Sequence, residues 1–419
     1  MPLLFFLFPL TGFYNGIKYF FQSKYRYGLL LFAFWYGYTV FCYSGDIVIY
    51  RDDFAKLIGY TWDDFWNVIV HFNNDQLKFS NVVPCAYNLK PDFYAITMGF
   101  LVSRFTENPR WFFAIVSVIY FYLMIKFLTE AIKFTGFKRS KEWRLFYLGL
   151  VFIVPFYVGV SGIRFWPGLF FYGWMLLKYI NTGKRKFLFF TVFSAFFHYT
   201  FIFPVAVAFV AGFLKINQTL FKILTLMGIG YALLSTTTSS MNFVKNALEI
   251  FDNDSLNNAA AGYLAQNDVT VTASNVAKTT NWYVTWRVNL INFFFIAFFV
   301  FDFFNFNDWK KPQTNRIFEN LYQVFFIITL FTFNLNSLGR FIYVFYFLIF
   351  LRIISLQTIN PSYKLKAWNL AFVPIIVLYI FVSMRVGFYT IDPLLLISPS
   401  PALLFIHSNI SLSEFLVGH

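Results

Sequence analysis

The chain has 419 residues, 59% of them apolar and 12% charged, about half the charged share usual for soluble domains. Phe occupies 64 positions and mean hydropathy is +0.61, which excludes a water-soluble enzyme, a disordered chain and a secreted disulfide scaffold. The net charge of +14 is scattered between apolar stretches rather than gathered in a patch, so no nucleic-acid partner is expected; the composition is that of an all-α, polytopic membrane protein in a lipid bilayer. Cys42 and Cys85 give neither a disulfide framework nor a zinc pattern, and His71, His198, His407 and His419 never fall at metal-ligand spacing. No metal or other cofactor is expected.

A bilayer crossing takes about 20 apolar residues. In chain order the candidate spans are 3–17, 28–45, 111–130, 145–161, 165–180, 219–236, 284–304, 317–335, 341–358 and 367–384. The opening MPLLFFLFPL lacks a basic n-region and a small-residue cleavage site, so it is read as a retained span. Residues 94–104 are too short to cross and predict a re-entrant or interfacial helix. Residues 187–214 form an apolar run of 28. As one helix that run would be about 42 Å long, too much for one crossing and too little for two. His198 and Pro204 interrupt it, and two short helices meeting near His198 are expected. The result is roughly 11–12 transmembrane helices in a single integral-membrane domain, residues 1–419.

The bias of basic residues toward cytoplasmic loops tests this layout. It puts 21 of 33 basic residues inside and 14 of 19 acidic residues outside. Treating 187–214 as one crossing leaves 18 basic residues inside against 15, so the helix pair is favoured. Two large extracytoplasmic loops follow, 46–93 and 237–283. The first carries YTWDDFWNVIVHF, which predicts amphipathic helices.

Charges in or beside a span are costly unless they face protein, water or a ligand. Arg164 (VGVSGIRFWPGLF) and Arg340 (NLNSLGRFIYVFYF) each sit in a very short outer connection, and Arg287 lies at the outer start of a span. Against the charge bias, such cations suit a phosphate-bearing ligand, which guanidinium binds bidentately; a pair with an outer carboxylate or snorkelling is the plainer role. His198 is the one histidine within a span, either a hydrogen-bonded core residue or a group that contacts or deprotonates substrate. Asp46, just after the second span, could act as a base or bind sugar hydroxyls; Asp52 and Asp53 read at least as well as solvated loop charges.

Several of these residues fall in recognisable elements. Asp46, Tyr50 and Phe54 form D-x-x-x-Y-x-x-x-F; KPDFYAITMGFLVSRF precedes a span; GIR at 162–164 is followed by a span, the basic GKRK and the pair Phe197-His198; and Gly339-Arg340-Phe341 comes later. In these elements the chain resembles the EpsG-like and Wzy-type (O-antigen) polysaccharide polymerases. The resemblance implies a GT-C-like membrane glycosyltransferase in the bacterial inner membrane. It would join undecaprenyl-diphosphate-linked oligosaccharide repeat units at the outer face, with a glycan donor and acceptor as partners and a chain-length regulator protein as a further one. Arg164, Arg340 and Arg287 would bind the diphosphate, and His198, with Asp46 as the second candidate, would activate the acceptor hydroxyl. Other lipid-linked transferases, an O-antigen ligase, a lipid-linked oligosaccharide flippase and a polysaccharide acyltransferase are the rival readings.

Overall fold

A computed structural model of the chain describes residues 7–40, 46–70, 93–136, 158–213, 218–234, 282–305, 316–332, 342–359, 363–408 and 410–417. Within them every regular element is helical, so the all-α expectation holds. The first half contains α1 (Pro9–Lys18), α2 (Ser23–Tyr38), α3 (Asp46–Leu57), α4 (Trp62–Val70), α5 (Phe93–Ser103), α6 (Pro109–Thr135), α7 (Val158–Ser161) and α8 (Phe165–Thr182). Then come α9 (Arg185–Phe190) and α10 (Ser194–Phe197), joined by a 3-10 turn, and α11 (Ile202–Phe213). The second half holds α12 (Gln218–Leu234), α13 (Trp282–Asn305), α14 (Arg316–Thr332), α15 (Ile342–Ile359) and α16 (Tyr363–Phe388), followed by the short α17 (Leu394–Ile397) and α18 (Leu412–Val417).

The centre of the first half is α6. Its start is set locally: Asn108 accepts a hydrogen bond from the Arg110 N–H (3.0 Å) and Pro109 occupies the first helical position. Its end is set by Gly136, whose φ of 62° is the left-handed conformation that closes helices cheaply only with glycine. Between these caps run 27 residues, about 40 Å of helix. Among the described residues α6 alone is long and apolar enough to cross a bilayer, while shorter apolar stretches lie in α5, α11, α12, α13, α15 and α16.

α2 and α8 pack along α6, and α1 packs on α2. The α2–α6 approach depends on Gly37, where a Cβ would fall 2.7 Å from the Phe113 carbonyl carbon and 2.8 Å from the Ala114 Cα. Small residues let helix backbones meet this closely, which raises dispersion contact where there is little hydrophobic drive. The halves join through aromatic side chains: Phe347 of α15 lies 4.7 Å from Phe127 and 5.9 Å from Phe170, and Phe134 lies 4.7 Å from Phe318. One continuous apolar core runs through both.

The helix pair expected at 187–214 is present. The chain is helical from Arg185 to Phe197, breaks at His198 (φ −155°, ψ 119°), and resumes through Tyr199–Phe201 into α11. Residues 93–103 form a short helix, about 16 Å long and unable to cross, as expected. The start of the 46–93 loop is helical in α3 and α4, whereas 71–92 and 237–281 lie outside the described residues, as does most of the candidate span at 145–161.

A candidate active site around Arg164

The site starts from helical periodicity. On α3, Asp46, Tyr50 and Asp53 are spaced i, i+4, i+7 and share one face. Phe54 and Leu57 anchor that helix; Phe54 is buried and stacks on Phe112 of α6 at 5.6 Å. Arg104, just past α5, fixes the far end of α3: its guanidinium donates to the carbonyls of Tyr60 (2.6 Å), Leu57 (2.8 Å) and Ile58 (2.9 Å) and covers the Phe100 ring. A cation on the last carbonyls of a helix is favoured by both hydrogen bonding and the helix dipole.

Arg164 closes the site from the other side. It occupies the turn between α7 and α8 and is the N-cap residue of α8, where the positive end of an 18-residue helix dipole adds to its own charge. Its Nε donates to the Tyr50 hydroxyl (2.9 Å), and the guanidinium lies 5.6 Å from the centre of the Tyr50 ring. Asp46, Tyr50, Asp53 and Arg164 line one cavity, with Ile96 and Gly99 of α5 and Phe112 of α6 as its apolar wall. Its volume is about 30 Å³. That is room for about two water molecules, not for a diphosphate.

The two aspartates treated alike in the sequence differ here. Asp52 is exposed and pairs with Arg51 (3.1 Å), as a solvated charge should. Asp53 turns inward, its side chain 17% exposed, and pairs with Lys56 at 3.1 Å. Burial pushes the Asp53 carboxyl above its ordinary value, against the opposing pull of Lys56 and Arg164. The sequence offers Asp53 as a solvated loop charge or as an outer carboxylate for an arginine to pair with; its place seven residues after Asp46 is the signal that puts the two on one face.

His198 is buried at the break between α10 and the following turn. Its Nδ1 accepts from the Thr200 N–H (3.4 Å) and lies 2.9 Å from the Thr200 hydroxyl. In the neutral ring that acceptor role leaves the proton on Nε2. The imidazole packs edge-on to Phe165, 6.0 Å between centres, and so stands one side chain behind Arg164 rather than on the cavity wall. Asp46 and Arg164 are thus brought together, and His198 is adjacent. Arg340 lies outside the described residues; Arg287 lies on α13, but its side chain is outside the description.

A second charged group went unread in the sequence. Arg352 of α15 is buried between Asp302 of α13 (3.2 Å) and Glu319 of α14, in the half where the sequence singled out only outer arginines. It ties three helices together. No spacing rule reports such a pairing, since its members come from three separate spans. Among the described residues no cluster of His, Cys, Asp and Glu could hold a metal ion.

Taken together, these features define a helical, aromatic-rich protein in which a guanidinium, a phenol and two carboxylates converge where α3 meets the start of α8. The chain belongs to the EpsG family, whose sequence model matches residues 55–396. This membership places it in a membrane-associated family of polysaccharide biosynthesis with a polymerase-like role. The match takes in Arg164 and His198 but begins just after Asp46, Tyr50 and Asp53. No curated protein and no solved structure matches the chain.

Proposed function

We propose that this chain is a multi-pass glycosyltransferase of GT-C-like architecture in the bacterial inner membrane. It joins oligosaccharide repeat units carried on undecaprenyl diphosphate, working at the outer face. Family membership supports the polymerase class, and the cluster of Arg164, Tyr50, Asp53 and Asp46 carries the assignment of the site. Large apolar side chains on outward faces of many helices, such as Phe193, Ile202, Leu226, Phe293 and Leu370, support a lipid-facing surface.

In this reading Arg164 and the start of α8 hold the donor diphosphate. The acceptor hydroxyl attacks the anomeric carbon, the bond from that carbon to the diphosphate oxygen breaks, and the electron pair leaves with the diphosphate. Arg164 stabilises the charge growing there. The acceptor proton passes to a carboxylate, Asp53 or Asp46, both on the cavity wall. Asp53 suits the role because its raised pKa makes it a stronger base than an ordinary aspartate. With Nδ1 committed to Thr200, His198 acts through position: it fixes the break that seats Phe165 and, with it, Arg164. Arg340 and Arg287 complete the diphosphate site in this scheme.

The test is polysaccharide length in cells producing each variant at wild-type level. Arg164→Ala removes the ladder of repeat lengths, and Arg164→Lys, which keeps charge without the fork, restores it in part. A full ladder from Arg164→Ala sinks the assignment.

A further inference from the structure

A cavity larger than the one at Arg164 opens elsewhere in the bundle. It lies at the opposite end of α8, between α2, α6 and α8, and has a volume of about 460 Å³. From Arg164 to Lys178 is 14 residues of helix, about 21 Å. Each of the three helices lines this cavity in the same way. Arg26, Lys126 and Lys178 lie at one level, and Leu30, Tyr122 and Trp174 lie one helical turn nearer the middle of the bundle.

The cations are arranged for an anion. The ammonium groups of Lys126 and Lys178 both face Trp174, at 6.0 and 4.8 Å from a ring centre, and neither forms a salt bridge with a described carboxylate. Two like charges drawn to one indole repel each other, and an anion between them would offset that repulsion. The single carboxylate on the wall, Glu130, is already held by Lys133 (2.8 Å) and by Asn181 (3.1 Å). Arg26 is fixed in place by the Phe20 carbonyl and the Thr129 hydroxyl.

We propose that this cavity binds the phosphate headgroup of an anionic phospholipid. The cations hold the phosphate, and the deeper turn of Leu30, Tyr122 and Trp174 receives the beginning of the acyl region. Basic pockets between membrane helices on the cytoplasmic side suit such headgroups. The site rests on the membrane-spanning reading above but not on the catalytic one.

The test uses the purified full-length protein in detergent, offered phosphatidylglycerol, phosphatidylcholine or glycerol phosphate, with bound species counted by native mass spectrometry. Phosphatidylglycerol is retained by the wild type in preference to phosphatidylcholine. The pair Lys126→Gln with Lys178→Gln lowers that retention by about tenfold or more. The pair Lys126→Arg with Lys178→Arg keeps it, which separates lost charge from lost fold. Equal retention of the two lipids, or undiminished retention by the Gln pair, overturns the site. Displacement of the lipid by millimolar glycerol phosphate overturns a lipid as the source and points to a soluble phosphate. Arg164→Ala serves as the control: if it spares the polymer ladder yet phosphatidylglycerol still binds, the catalytic reading alone has failed.

Discussion

Tyr50 and Asp53 show how much a single turn of helix can decide. Tyr50 points its hydroxyl at Arg164, so the one donor used in that contact orients the guanidinium fork while the positive charge is kept. Asp53, one turn further on, has its carboxyl pushed up by burial. A raised folded-state value means that the folded protein holds the proton more tightly than the unfolded chain does. The stability contributed by that proton is therefore complete at low pH, and it is lost as pH rises from the ordinary carboxylate range through the raised value. Activity runs the other way, because a base must be ionised: it falls as pH drops below the raised value. Asp53→Asn is expected to remove most polymerisation and to flatten this stability slope, measured as melting temperature against pH in purified protein. An unchanged acidic limb in the activity profile of the variant would rule Asp53 out as the base. Asp46 was legible in the sequence because it ends an apolar run. Asp53 was not, because only the helix places it on the same face.

Among the described residues, polar contacts between helices fix relations that the apolar surfaces leave loose. Arg352 holds Asp302 and Glu319 where α13, α14 and α15 meet, and all three are largely or wholly buried. Removing one partner of a buried ion pair strands the remaining charge, at a cost of about 3–5 kcal/mol. Arg352→Met leaves two carboxylates facing each other and is expected to lower the melting temperature sharply in detergent. The triple change Asp302→Asn, Glu319→Gln and Arg352→Met should recover much of the loss. If Arg352→Met melts with the wild type, the triad does not hold the three helices. The broken helix at His198 could be read from length, from Pro204 and from the histidine itself. The triad could not, because hydropathy treats its members as three unrelated interruptions in three spans.

For the whole molecule, the packing sorts the helix ends into two groups. The start of α2 and the ends of α6 and α8 lie together, tied by Arg26 to Thr129 and by Asn181 to Glu130. The start of α8 lies instead with α3 and α5. In the proposed orientation, which rests on the bias of basic residues, the first group faces the cytoplasm and the second the outside. On a background lacking Cys42 and Cys85, Glu107→Cys, before α6, is expected to react with a membrane-impermeant thiol reagent in intact cells. Lys184→Cys, after α8, should react only once the cells are opened. The reverse pattern would invert the proposed orientation. Several of the long helices were readable from composition: those at 165–182, 218–234, 282–305, 316–332 and 342–359 fall within three residues of the expected spans, whereas the span expected at 28–45 is a helix at 23–38. The path of the intervening polar stretch at 237–281 lies outside the described residues.

The Arg104 clamp sets a mechanical condition on catalysis. If the donor pyrophosphate binds here as proposed, a space that holds only a pair of waters has to widen, and α3 is the wall that carries Asp46, Tyr50 and Asp53. Three carbonyls near Leu57 are riveted to one guanidinium, which makes that end the fulcrum and Asp46 the tip of the lever. Asp46 then has the longest travel in that movement, while Asp53, nearer the pivot, keeps its station beside Arg164.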